Sequence, residues 1–514
     1  PMYYPGAHAQ TRPDHPAVII AGSNESIDYK TLNDRSNQIA QLLHRQEFRP
    51  RDHIALFMEN NIRYFEIMWA AFRSGLVITP INRYLTADEA AYIINDCGAK
   101  AIFTSAYMAE VAVALPARTP ECPLRYIIDG ACDGYDDLDQ AMELCPATPL
   151  AEEPLGMTML YSSGTTGQPK GVMKLLPPNP VTKGAIILPK LHAYGMDENS
   201  VYLSPAPIYH AAPLGYTMGV LSLGATVVMT PRFDAEDALR CIQDYNITHS
   251  QWVPTMFIRM LKLPDDARQQ YDLSSHQVAI HAAAPCPIEI KRQMIDWWGP
   301  IIHEYYGGSE GIGSTVIDSH EWLKRPGSVG RELIGKIRIC DDAGDEVETG
   351  ETGLIYFEHP KMPFAYHNDP EKTRGAQNPK SPNWSTMGDV GYVDAKDFLY
   401  LTDRKSFMII SGGVNIYPQA IEDALVLHPN VADAAVIGVP NEDFGEEVKA
   451  VVQLMSGVEK SDDLASNLIA FAREKVAAYM VPRSVDFTPE LPRLPTGKLY
   501  KHKLRDQYWP KKTK

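Results

Sequence analysis

The residues from Tyr161 to Val172 read Tyr-Ser-Ser-Gly-Thr-Thr-Gly-Gln-Pro-Lys-Gly-Val and follow Met157 to Leu160, which reads as a strand end. Glycines let a backbone turn tightly and bring its N–H groups close to an anion. The hydroxyls add donors, and Lys170 adds a point charge. This is phosphate-handling chemistry. It is not a Walker loop, because the G-x-x-x-x-G-K-[S/T] spacing is absent.

Further segments carry polar chemistry. Pro205 to Pro213 sets His210 among small and apolar residues. Ile302 to Ile312 reads as a strand running into a glycine turn that displays Ser309 and Glu310. Met387-Gly-Asp389-Val-Gly391 is an acidic turn, Leu401 to Ser406 opens a compact C-terminal segment, Ile409 to Pro418 follows closely, and Leu491 to Lys498 ends in Thr-Gly-Lys. Gly307-Gly-Ser-Glu-Gly311 also matches G-x-S-x-G, the nucleophile elbow of α/β-hydrolases, which would make Ser309 the nucleophile of an esterase or thioesterase. The elbow must enter a helix directly, which Gly311 and Gly313 oppose. That reading also leaves the 162–171 loop, Asp389 and Lys498 without a role.

The elements that must position these residues follow from hydrophobic periodicity. Residues 29–46 and 62–74 have helical periodicity; Ile54 to Met58 and Leu76 to Thr79 are short buried-strand runs. Thr86 and Glu89 form a helix start of the capping-box type. Such alternation predicts α/β layers with parallel strands. Residues 177–207 are interrupted by prolines and are expected to be irregular. Residues 337–400 read as short strands with Gly, Asp and Asn turns, hence a β-rich section. After Asp403, helices at 419–428 and 461–477 and strands at 434–439 and 448–454 suffice for a small α+β domain.

The chain has 514 residues, too many for one ordinary core. Its net charge of −16 argues against a nucleic-acid partner but not against a nucleotide ligand. Seven cysteines, an odd number without any C-x-x-C pair, argue against a zinc site or a disulfide framework. No apolar run is long enough to span a bilayer, and no secretory signal is read at the start. A cytoplasmic protein is expected.

Taken together and in this order, the motifs between Tyr161 and Lys498 resemble the adenylate-forming superfamily of acyl-CoA synthetases, non-ribosomal peptide adenylation domains and firefly luciferase. The resemblance implies an α/β fold: a large N-terminal domain of layered α/β subdomains with a β-rich section (1–402), a hinge (403–406) and a small mobile α+β C-terminal domain (407–514). It implies that a carboxylate attacks ATP to give acyl-adenylate and pyrophosphate, after which a thiol, usually that of coenzyme A, takes the acyl group. Ser162, Ser163, Gly164, Thr165, Thr166, Gly167 and Lys170 would cradle the β- and γ-phosphates. Glu310, with Thr165, would hold Mg²⁺, a hard cation that prefers oxygen ligands. Ser309 would contact the α-phosphate, where the family usually has threonine. Glu304, Tyr305 and Tyr306 match the adenine-site strand, Asp389 would accept from the ribose hydroxyls, and Arg404 would contact ribose or phosphate. Lys498 would bridge carboxylate and α-phosphate from the mobile domain. Ser411, Gly412 and Gly413 would lie along the pantetheine path. Ser406 stands at a hinge position where many relatives have Asp or Lys, and Met387 replaces a commoner threonine.

Amino-acid-activating relatives carry an aspartate near the position of His210; this chain has His210, Ala211 and Ala212, which disfavours an α-amino acid. The candidate pocket residues Tyr209, Ala211, Ala212, Ala282, Ala283, Gly308 and Ile312 are mostly small and apolar, leaving room for a bulky hydrophobic acid: aromatic, medium-to-long acyl, or a steroid-type side chain. The expected partners are that acid, ATP and coenzyme A, with a carrier protein as the alternative acceptor; a homodimer is compatible with the sequence.

Overall fold

The computed structural model describes residues 2–23, 25–162, 168–176, 178–493 and 499–509. The chain divides into two compact units: residues 1–252, 264–280 and 363–373, and residues 253–263, 281–362 and 374–514.

In the first unit, six strands form a wholly parallel sheet in the order Asp136–Asp137, Leu124–Ile128, Ala101–Ser105, His53–Phe57, Val77–Ile81, Met157–Thr158. Parallel neighbours need long crossovers, and the helices read from the sequence supply them: Tyr64–Arg73 joins His53–Phe57 to Val77–Ile81, and Ala87–Asp96 leads on to Ala101–Ser105. The start of the latter is the expected capping box. Glu89 N–H donates to Thr86 Oγ1, and Thr86 N–H donates to the Glu89 carboxylate. Helix Tyr29–Arg45 is capped by Asp28, which accepts from Thr31 N–H. A second sheet runs His249–Trp252, Val201–Ser204, Thr226–Met229, Pro16–Ile20, Ser26–Asp28, and only the last pair is antiparallel. A small antiparallel sheet joins Leu160–Ser162, Lys170–Lys174 and Phe364–Tyr366.

Residues 178–207 are more ordered than the prolines of the 177–207 stretch suggest. They contain helix Leu188–Ala193 and strand Val201–Ser204. Pro189 lies in the first turn of that helix, where its missing N–H has no intrahelical partner to lose.

The second unit holds an antiparallel sheet, Lys336–Cys340, Gly353–Glu358, Asp389–Val393, Leu399–Arg404, Ser328–Ile334, Ser314–Ile317, Ile302–Gly307; the first four of these strands lie in the section read as β-rich from its turn residues, and the other three precede it. A further sheet is built on the long hairpin Val431–Asn441 and Gly445–Leu454, with Ile409–Ser411, Val414–Ile416 and Ser484–Thr488 alongside. Helices Gln419–Leu425 and Asp462–Arg473 accompany it.

Asp423 on the first of these helices accepts from Gln419 Nε2 at 2.7 Å. Burial, reinforced by Glu422 and Asp403, pushes its carboxyl up to about 7, while Lys501 and the Gln419 bond act against that. The folded chain therefore holds a proton that the unfolded chain releases near pH 4. Stability falls as pH rises from about 4 to about 7, and the loss is complete above that window. Asp423→Asn is expected to raise the melting temperature by a few degrees at pH 8 and to do so much less at pH 5. Parallel pH-dependent melts of the two proteins check this.

Candidate active site

In the first unit the phosphate-type loop is the connection of a β-hairpin. Ser162 pairs with Lys170 and Tyr161 with Gly171 across the antiparallel ladder. Ser163, Gly164, Thr165, Thr166 and Gly167 lie outside the described residues. Below the loop, the Tyr161 hydroxyl donates to Asp96 at 2.7 Å, and Gly171 runs close to Met159, Tyr161 and His367, where a Cβ would meet atoms at 3.1 to 3.2 Å. The half-buried Lys170 ammonium lies 3.6 Å from Asp369, a partner that nothing in the local sequence signals.

His210 is the N-cap of helix Ala211–Leu223, so Ala211 and Ala212 open that helix. The Tyr209 and His210 rings lie 4.1 Å apart. Tyr209 is buried, and burial, chiefly, raises its phenol well above the ordinary range.

In the second unit, strand Ile302–Gly307 carries Glu304, Tyr305 and Tyr306. Side chains alternate along a strand, so Glu304 and Tyr306 share one face and Tyr305 takes the other. The chain then turns through 308–313 into the antiparallel strand Ser314–Ile317, with Gly307 paired to Ser314 and Gly311 at φ +66°. A nucleophile elbow needs a helix there; the observed hairpin removes the hydrolase reading of Ser309. Ser309 and Glu310 sit half-buried in that turn, next to the buried Ile312. A Cβ on Gly308 would lie 2.0 Å from Met387 Sδ and 2.9 Å from a Glu310 carboxylate oxygen. The glycine turn and the Met387-Gly388-Asp389 turn are therefore in contact.

Asp389 is the meeting point. The Tyr306 hydroxyl donates to Asp389 Oδ2 at 2.7 Å, and Arg404 Nε lies 3.1 Å from Oδ1. Asp389 and Arg404 oppose each other across neighbouring strands, which explains how residues fifteen apart come to pair. Burial first, then the Asp389 charge, raises the Tyr306 phenol well above its ordinary range, so it stays a donor. A carboxylate offers about four acceptor directions, so Asp389 retains capacity for further hydroxyls.

Glu304 has a different environment. It is buried, and its carboxylate lies 2.6 Å from Lys291 Nζ and 3.5 Å from His281 Nε2. Lys291 also stands 4.8 Å from the Trp322 ring. Burial lifts the Glu304 carboxyl and Lys291 opposes that; burial with Lys291 and His303 holds His281 far below its usual value and neutral. Lys291 is a partner that sequence reading missed.

Ala282 is buried, while Ala283 is exposed at φ +77°. Ser411, Gly412 and Gly413 lie at the tip of the hairpin Ile409–Ser411 and Val414–Ile416; both glycines have positive φ, as a two-residue hairpin turn requires. Lys498 lies outside the described residues. On either side of residues 494–498, Arg493 and Leu499 form a β-bridge, and Tyr500 N–H donates to Pro492 O at 2.7 Å.

A family model described as "AMP-binding enzyme" matches residues 6–367, and one described as "AMP-binding enzyme C-terminal domain" matches residues 420–498. The chain belongs to the AMP-binding enzyme family. This AMP-binding enzyme is 31% identical over 508 residues to a feruloyl-CoA synthase of an Amycolatopsis species, covering 98% of both chains. It is 29% identical over 511 residues to a fatty acid–[acyl-carrier-protein] ligase of Streptomyces coeruleorubidus, covering 98% of this chain and 95% of that protein. Among solved structures it matches ATP-bound MatB from Rhodopseudomonas palustris with a TM-score of 0.80 and 25% identity, over 98% of this chain and 99% of that one. No helix among the described residues is long and apolar enough to cross a membrane.

Proposed function

We propose that the protein is an ATP-dependent acid–thiol ligase acting on a hydrophobic carboxylic acid. A carboxylate oxygen bonds to the α-phosphorus as the bond to pyrophosphate breaks. The thiol sulfur of coenzyme A then bonds to the acyl carbon as AMP leaves, giving the acyl-CoA. The observation that carries this reading is the convergence of Tyr306, Asp389 and Arg404 beside the Ser309–Glu310 turn. A carboxylate held by a phenol and a guanidinium, with acceptor capacity left, suits ribose hydroxyls. The likeness to a feruloyl-CoA synthase and to the ATP-bound MatB structure supports the same reading.

The nucleophile is the substrate itself, so this chain's residues align groups and neutralise charge. The loop from Ser162 to Gly167 with Lys170 would cradle the β- and γ-phosphates. Ser309 would contact the α-phosphate, and Tyr305 would stack on the base. Glu304, paired with Lys291, holds the strand that carries Tyr306. Tyr209, Ala211, Ala212, Ala282, Ala283, Gly308 and Ile312 would surround the acid, with His210 at its reacting end. Residues 403–406 would act as hinge between residues 1–402 and 407–514, and Ser411 to Gly413 would guide the pantetheine.

Mg²⁺ would be held by Glu310 and Thr165 and would supply charge neutralisation at the phosphates. Among the described residues no cluster of three His, Cys, Asp or Glu could hold a metal alone. One protein carboxylate suits an ion that takes most of its ligands from substrate phosphates and water.

Mass spectrometry of reactions containing ATP, Mg²⁺ and a panel of carboxylic acids, with and without coenzyme A, tests the proposal. AMP and an acyl-CoA formed with one class of acid support it; ATP left intact with aromatic, long-chain and steroid-type acids alike sinks it. The likeness to an acyl-carrier-protein ligase favours a second reading, in which a carrier-protein thiol is the acceptor. Acyl-adenylate without acyl-CoA would select that reading. Tyr306→Phe should raise the KM for ATP about tenfold, the expected size for a lost hydrogen bond to a charged group, while kcat changes little. Steady-state kinetics against ATP measures this.

A further inference from the structure

Lys262 follows helix Pro254–Leu261 directly, and its ammonium donates to two backbone carbonyl oxygens: that of Val426 at 3.2 Å, and that of Val431. Val426 is the C-cap of helix Gln419–Leu425, and Val431 opens strand Val431–Asn441. The last carbonyls of a helix lack intrahelical donors and carry the negative end of its dipole, so a cation is favoured there. The contact joins the stretch matched by the AMP-binding model (6–367) to the stretch matched by the C-terminal model (420–498). Residues 253–263 also cluster with the second unit, although their flanking residues belong to the first.

Two electrostatic couplings also link these two stretches. The charge of Asp423 acts on the Cys286 thiol, which is raised well above its ordinary value by burial first and by Glu304 next. Asp433, two residues beyond Val431, opposes the lowering that burial imposes on the Lys262 ammonium. Asp433 itself pairs with Arg493 at 2.7 Å, at the base of the segment that leads to Lys498. One ammonium thus ties down the end of a helix and the start of the strand that carries this pair.

We propose that Lys262 is a positioning residue that stabilises one of two orientations of the C-terminal domain and so sets the balance between adenylate formation and thioester formation. The proposal rests on the two-step ligase reading above. Its chemistry suits a reversible catch. The ammonium meets backbone oxygens, so it captures the segment whatever side chains that segment carries. A few charge-assisted hydrogen bonds shift an equilibrium by about tenfold to a hundredfold, enough to bias two states without locking either.

The test uses the full-length protein with Lys262→Met, Lys262→Gln and Lys262→Arg. Acyl-adenylate formation from ATP and acid is measured separately from acyl-CoA formation out of supplied acyl-adenylate. The Met and Gln variants should move the two rates in opposite directions, changing their ratio about tenfold, and Arg should restore most of the ratio. Spin labels at the exposed positions Lys324 and Lys460 read the orientation directly, and the Met variant should lose the dominant distance of the parent. An unchanged ratio, both rates falling together in Met and Gln alike, or an unchanged distance distribution overturns the proposal. Should the parent make no adenylate from any acid, the ligase reading fails, while the spin-label distances still decide whether Lys262 holds the domain.

Discussion

Replacing Lys498 by alanine should lower the rate of acyl-adenylate formation by about 10²- to 10³-fold, the usual loss when one preorganised charged or polar contact to a developing anion is removed. The proposal gives Lys498 a single task, bridging carboxylate and α-phosphate, and the chain is anchored on either side of residues 494–498. Arg493 and Leu499 bridge across residues 494–498. Leu491, Leu499 and Leu504 are buried with Ala435, Ile437, Val439 and Val451 of the long hairpin. The Arg493 guanidinium pairs with Asp433 on the same hairpin. Pre-steady-state release of pyrophosphate measures the first step. Thioester formation from supplied acyl-adenylate should be nearly unaffected by Lys498→Ala. If both steps slow equally, the lysine is not specific to adenylation.

Replacing Lys291 by methionine should destabilise the second unit by about 3 to 5 kcal/mol, because it leaves the Glu304 carboxylate uncompensated in the interior. Lys291 is fully buried, 2.6 Å from that carboxylate, with the Trp322 ring on its flank and a neutral His281 nearby. Denaturant titration followed by tryptophan fluorescence reads the loss. The double variant Lys291→Met with Glu304→Met should recover most of it, since removing both charges leaves no buried ion to desolvate. A double variant as unstable as the single one would show that packing, rather than the orphaned carboxylate, is responsible.

These residues mark where sequence reading succeeds and where it stops. The Thr86–Glu89 cap is legible because both hydrogen bonds close within four residues. The hairpin at 308–313 is legible because glycines at 311 and 313 oppose a helix whatever the surrounding fold. The antiparallel section around 337–400 is legible because its turn residues recur at short spacing. Glu304 shows the limit: its strand is readable, but its partner lies on helix Ile288–Trp298, and only tertiary packing brings the two charges together. Lys170 with Asp369, and Lys262 with the carbonyls of Val426 and Val431, are of the same kind, joining residues far apart in the chain without any local pattern. The helix at Leu188–Ala193 was obscured for another reason. Proline reads as a breaker, yet in a first helical turn it is compatible with the helix.

The small sheet beneath the phosphate-type loop also sets an order of events during synthesis. Strand Lys170–Lys174 pairs on one side with Leu160–Ser162, which the ribosome has already released, and on the other with Phe364–Tyr366, made about 190 residues later. At roughly 5 to 20 residues per second the interval is on the order of 10 to 40 s. For that time a nascent chain displays an unpaired strand edge, the kind of surface that recruits other strands. Completion of the first unit waits for residues 363–373, by which point most of the second unit's antiparallel sheet has already emerged.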